Sequence, residues 1–154
     1  MRTALLFIIL LSAYTTNAQS NSFKLTDSTV VKNAIYTCPM LDFYNGCNNK
    51  FNKIQIDSIK NFLRINKSIK IQIACHTDQR GSSEYNKLLS EKYAMRLKEL
   101  LIDSTITDNR ITTIGYGESK PIVDIKIIDS YKTDKEKQIA YERNRRIEII
   151  ITDL

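Results

Sequence analysis

The residues best suited to chemistry in this 154-residue chain are His76, Thr77, Asp78 and Arg80, followed directly by Gly81, Ser82 and Ser83. A carboxylate and a guanidinium two residues apart can form charge-assisted hydrogen bonds with a small charged ligand. Covalent chemistry would need more. His76 is the single histidine, and its neighbour Cys75 lies beside it on an apparent strand, where adjacent side chains point to opposite faces. That arrangement argues against a thiol nucleophile with a histidine base. Glycoside hydrolysis needs two carboxylates flanking a cleft, and no second acid is nominated beside Asp78. One histidine and three widely separated cysteines lack the paired spacing of a zinc site. The pattern therefore speaks for a binding corner without cofactor or metal, not for an enzyme.

Such a corner has to be held by its neighbours. Ile69, Ile71 and Ile73 alternate with Lys70 and Gln72, which predicts a half-buried strand leading into it. On the far side, Ser82 or Ser83 can cap a helix with Glu84 in its first turn. Tyr85, Leu88, Leu89, Tyr93, Ala94, Leu97, Leu100 and Leu101 recur at spacings of three and four, predicting an apolar stripe that packs on a sheet. Ile56, Ile59, Phe62 and Leu63 predict an earlier helix over 53–65, and the short turn after it leads into the Ile69 strand, as in a βαβ unit. Further strands are expected around Ala34 and Tyr36, over 110–116, and over 146–152, where Ile147, Ile149 and Ile151 alternate. Residues 122–142 read as a charged excursion with a short helix near 135–141. The sum is an α/β (α+β) two-layer sandwich, a β-α-β-α-β-β mixed sheet with helices on one face.

The N-terminal residues and the cysteines add an expected address. Arg2, the apolar run 4–13 and the small residues Thr16-Asn17-Ala18 fit a cleaved signal peptide over 1–18. The apolar run falls short of the roughly 20 residues a membrane span needs. Residues 19–32 are polar and read as a flexible arm, leaving 33–154 as the domain. Export to the periplasm follows, with association to the outer membrane as an extension. In that oxidising compartment Cys38 and Cys47 form the preferred disulfide and Cys75 stays a buried thiol; other pairings remain open. The formal net charge of +6 favours acidic partners. The lysines are scattered without interleaved aromatics, which speaks against nucleic acid.

Four signals fall in order along the chain: His76-Thr77-Asp78 with Arg80-Gly81; Glu84-Tyr85-Asn86 leading to Leu89-Ser90; Gly115-Tyr116-Gly117-Glu118-Ser119-Lys120-Pro121; and Asn144-Arg145-Arg146-Ile147-Glu148. Together they resemble the OmpA-like, peptidoglycan-associated domain of Gram-negative envelope proteins, over residues 51–151. The resemblance implies non-covalent binding of the peptidoglycan stem peptide through the zwitterionic end of its diamino acid, usually diaminopimelate. It places the amine-binding acid on Asp78 of the Thr77-Asp78 pair, a pocket-shaping asparagine on Asn86, and cationic charge on the Asn144-Arg145-Arg146 motif. Of the two arginines, which alternate on a strand, at most one is expected to face the pocket. One departure stands out. The family's Leu-Ser-x-x-Arg-Ala reads here Leu89-Ser90-Glu91-Lys92-Tyr93-Ala94, so tyrosine replaces the arginine that clamps the ligand carboxylate. Losing a charged hydrogen bond of that kind costs about 1.5–3 kcal/mol. Lys92, Arg96 and Arg145 are the candidate replacements. If none serves, the implied alternative is a domain with a degenerate site that contacts other envelope proteins.

Overall fold

The computed structural model describes residues 22–27, 29–40 and 50–154. Its elements run β1 (Ile35–Pro39), α1 (Lys50–Ile65), β2 (Lys70–His76), α2 (Ser83–Leu101), a 3-10 turn (Asp108–Arg110), β3 (Ile111–Gly117), α3 (Ile125–Ser130), α4 (Asp134–Asn144) and β4 (Arg146–Asp153). The strands form one sheet in the order β1-β4-β2-β3. β2 and β3 are parallel, joined by α2 as the crossover, whereas β4 runs antiparallel to β1 and β2. The two-layer mixed architecture expected from the sequence is the one observed.

Strand alternation decides what each face of the sheet meets. Ile71, Ile73 and Cys75 of β2, Ile111 of β3, and Ile147, Ile149 and Ile151 of β4 join a single apolar core. Ile59, Phe62 and Leu63 of α1 and Ala94, Leu97 and Leu101 of α2 close it from above. The other face carries Gln72, Ala74 and His76 of β2 beside Glu148 and Ile150 of β4. Val123, Ile128 and Ala140 make a second, small core beneath α3 and α4.

The helix starts are set by their caps. The Ser82 hydroxyl accepts from the Tyr85 amide at 3.2 Å, fixing the entry of α2. Thr133 and Glu136 form a reciprocal capping box at the start of α4, which extends to Asn144 rather than ending near 141. α3 is absent from the sequence-based expectation. It is six residues long, too short for a 3.6-residue period to show, and its one signal is Asp124 capping the Lys126 amide.

Two expectations are corrected. The apolar stripe of α2 does not bury Tyr85 or Leu88, which are both about half exposed; the inward face is Asn86, Ser90, Ala94, Leu97 and Leu101. The reason is how closely the helix approaches β3. A Cβ on Gly115 would lie 2.3 Å from the Glu91 amide nitrogen and 2.5 Å from Ser90 Oγ, so the contact admits only a glycine against a small polar side chain. Ser90 Oγ meets the Gly117 amide at 2.8 Å, and hydrogen bonding selects the face that apolar counting misses.

The second correction concerns the expected flexible arm over 19–32. Ser22 bridges Ile35, and Phe23 is buried with its ring 5.3 Å from that of Phe62. Burial of that aromatic ring outweighs the polar composition around it. The ordered unit therefore begins at least at Ser22.

Arg110 is a further buried group with a clear role. Its guanidinium donates to the carbonyls of Leu63 (2.9 Å), Asn66 (2.6 Å) and Ile69 (3.0 Å). A cation thus satisfies the orphan carbonyls at the C-terminal end of α1, where the helix dipole favours positive charge. Cys38 and Cys75 are buried free thiols. Both stand in register with Ile147, from opposite sides of β4, so they lie two strand spacings apart, roughly 9.5 Å. That exceeds the reach of a disulfide. The expected Cys38–Cys47 pair, like the signal peptide over 1–18, involves positions outside the described residues.

Candidate functional site

The site forms where β2, α2 and β4 meet at one end of the sheet. After His76 the chain leaves β2, and the Thr77 amide donates to the Gly117 carbonyl at 2.9 Å, which holds the exit against β3. Asp78 follows, only 5% exposed. The turn that carries it is pinned from α2, because Asn86 Nδ2 donates to the carbonyls of Asp78 (3.3 Å) and Arg80 (3.2 Å) and also meets Glu118. Asn86 thus holds the turn from within.

The Asp78 carboxylate sits between two guanidiniums. Arg80 forks onto it, Nε to Oδ1 at 3.1 Å and Nη2 to Oδ2 at 2.8 Å, and its amide adds a bond to Oδ1 at 3.0 Å. Arg145, at the junction of α4 and β4, reaches Oδ2 through Nη1 at 2.5 Å. Burial pushes the Asp78 carboxyl upward, but these hydrogen bonds outweigh it and hold the group below its usual range. Arg80 is steadied again by Tyr141, whose ring centroid lies 4.7 Å from its guanidinium carbon. Arg145 makes a single contact with Asp78 and a loose one, 4.0 Å, with Glu142.

Beside this pair is a cavity of about 210 Å³, bounded by Thr77, Asp78 and Arg145 on the polar side and by Met40, Leu89 and Tyr93 on the other. The Thr77 hydroxyl is buried at its rim and has no hydrogen-bond partner among the described residues.

Of the candidate residues, Thr77, Asp78, Asn86 and Arg145 are brought together here. Lys92 and Arg96 are not: both are exposed, neither lines the cavity, and Arg96 pairs with Glu99 at 2.9 Å along the helix. Helix periodicity explains this. Position 96 shares the cavity side of α2 with Leu89 but stands seven residues further along, about 10.5 Å at 1.5 Å per residue, beyond the cavity, while Lys92 points to its flank. Arg146 also stays out of the cavity, with its Nε on Glu148 at 2.8 Å and an Nη1 bond to the Lys120 carbonyl at 3.1 Å. Arg80 is the site residue that sequence reasoning under-weighted. Its place two residues after Asp78, before a glycine, was the signal available.

His76 is structural. Its ring stacks on Tyr116 at 5.1 Å, and Nε2 stands 3.4 Å from Glu148 Oε2. The imidazole and the Arg146 guanidinium hold the Glu148 carboxyl down at about 2, against the upward pull of burial. Asn144 is buried too. It receives the Ile122 and Val123 amides and donates to Gln79, which locks the excursion to the binding turn.

The model of the OmpA family matches residues 49–137. The chain is 34% identical over 95 residues to the peptidoglycan-associated lipoprotein of Buchnera aphidicola, covering 62% of this chain and 54% of that protein. It is 32% identical over 89 residues to the peptidoglycan-associated lipoprotein of Legionella pneumophila, covering 58% and 45%. The chain thus spans about half the length of the curated relatives it matches. The fold is similar to the cell wall anchor of the T6SS from Pseudomonas aeruginosa (TM-score 0.60, 21% identity, 81% of this chain and 85% of that one). It is also similar to the peptidoglycan-associated lipoprotein from Burkholderia pseudomallei (TM-score 0.59, 21% identity, 83% and 98%). The acid, asparagine and arginine of the corner stand in a fold that these proteins share, and the chain belongs to the OmpA family.

Proposed function

We propose that this chain binds peptidoglycan without modifying it, gripping the diamino acid of a diaminopimelate-type stem peptide in the cavity beside Asp78. The observation that carries the reading is the pair of Asp78 and Arg145 beside one small cavity. Both oxygens of Asp78 are already occupied by arginines, so a ligand ammonium must displace one of them. Arg145 is the one to move, because Arg80 is held by a fork, its own amide and Tyr141. Once displaced, the Arg145 guanidinium is left within reach of the ligand carboxylate on the same carbon. The exchange supplies the cation that Tyr93 does not. Charge is conserved across the swap, which keeps the desolvation cost low.

The names of the relatives support the same reading at the scale of the compartment: exported, and in the bacterial envelope.

Retention on purified peptidoglycan tests the proposal. Asp78→Asn, close to isosteric, and Arg145→Gln are each expected to lower retention by about tenfold or more, the loss of one charge-assisted contact. Tyr93→Arg is expected to raise it. Retention of Asp78→Asn equal to wild type would remove this site from consideration, and release of soluble fragments from the wall would contradict a purely binding role.

A further inference from the structure

A second, larger cavity opens directly off the first. It holds about 510 Å³ between the end of β1 and α4, and Met40 and Arg145 form walls of both. Its lining joins apolar surface to positive charge. Pro39, Met40, Ile122 and Ile139 line it, and the two isoleucines are each 50% exposed, so its apolar wall is open to a ligand. Three arginines line the same cavity against one acid, Glu142. Arg146 is committed to Glu148 and Arg145 to Asp78, but Arg143 makes no ion pair among the described residues. The surface therefore fits a group that is short, apolar and anionic, and one that is continuous with whatever fills the smaller cavity.

We infer that this groove is a subsite of the same ligand, receiving the D-alanyl-D-alanine end of the stem peptide, with methyl groups on Ile122 and Ile139 and the terminal carboxylate on Arg143. The assignment rests on the diamino acid occupying the cavity beside Asp78. Its chemistry follows from that placement: the peptide that continues from the diamino acid carries methyl side chains and ends in a carboxylate, and the adjoining groove offers apolar walls and an uncompensated guanidinium. The alanines extend from the other amino-acid centre of diaminopimelate, so its methylene chain would run past Arg145, which lines both cavities, into the groove. A wall peptide whose terminal alanines have been trimmed would lose the contacts made here, so the module would distinguish untrimmed stems from trimmed ones.

The test is a calorimetric titration of the full chain with three probes: meso-diaminopimelate, the tripeptide ending at diaminopimelate, and the pentapeptide ending in D-alanyl-D-alanine. Wild type is expected to bind the pentapeptide about tenfold more tightly than the tripeptide, the increment of one exposed charged contact with modest apolar burial. Arg143→Gln and Ile139→Ser are each expected to reduce that increment while leaving the affinity for free diaminopimelate unchanged. Both positions are exposed, so neither change threatens the fold. Equal affinity for tripeptide and pentapeptide would overturn the subsite while leaving the diamino-acid cavity standing. An Arg143→Gln loss already present with the tripeptide would overturn it too, by assigning the groove to the other half of the stem. Failure of all three probes to bind would take the cavity reading and the subsite down together.

Discussion

Asp78 shows how a buried carboxylate is kept ionised. Its two guanidinium partners leave no uncompensated charge there, and in the proposed exchange the single-contact partner moves while the Arg80 fork holds the turn. Because its folded value is depressed, Asp78 stays ionised through the neutral range, and wall binding should be flat there for this group. Glu148 makes the sharper pH prediction. Its carboxyl titrates near 2 in the folded chain and near 4.5 when unfolded, so the unfolded state takes up the proton first as pH falls. The stability it contributes is complete above about pH 4.5 and disappears as pH drops towards 2. For a group that is 18% exposed this amounts to about 2 kcal/mol. Denaturant melts of wild type and Glu148→Gln at pH 7 and pH 2.5 check it. The gap between the two proteins should be present at the higher pH and mostly closed at the lower; a gap independent of pH would refute it.

Among the elements, α2 is the one whose placement decides the site. It meets β3 through Gly115 and Ser90, a contact with no space for a methyl group. Gly115→Ala must push the helix away from the strand, with an expected cost of about 3 kcal/mol and weaker ligand retention, because Asn86 rides on the same helix. A chemical melt gives the stability and the wall assay gives the retention; a change under 0.5 kcal/mol would show that the packing yields more easily than the distances imply. The same contact explains which parts of the fold could be read in the sequence. Alternating isoleucines declared β2 and β4, and Ser82 declared the start of α2. The inward face of α2 could not be read this way, since Asn86 and Ser90 are polar and face inward for the sake of hydrogen bonds, while Tyr85 and Leu88 are apolar and face out. α3 was invisible for lack of length. For the site, motif order located Asp78, Asn86 and Arg145. Choosing Arg145 over Lys92 and Arg96 needed the register of β4, a long-range fact that no local pattern on α2 contains.

At the scale of the whole molecule, the core encloses two thiols that report on its integrity. Burial pushes Cys38 up to about 12, and Cys75 higher still. Neither should react while the fold is closed. In a Cys47→Ser background, alkylation of both is expected to track global unfolding across a denaturant series; labelling well below the transition would reveal a local opening of the sheet. The sheet also determines how a mechanical load is carried. Asp78 follows the end of β2 and Arg145 precedes the start of β4, and these two strands are the interior pair. The chain enters from Ser22 beside Ile35, which is in register with Ile150 near the other end of β4. Tension applied between Asp78 and Ser22 would run lengthwise along the strands. The interstrand hydrogen bonds lie across that direction, so they would be sheared as a group and not peeled apart singly.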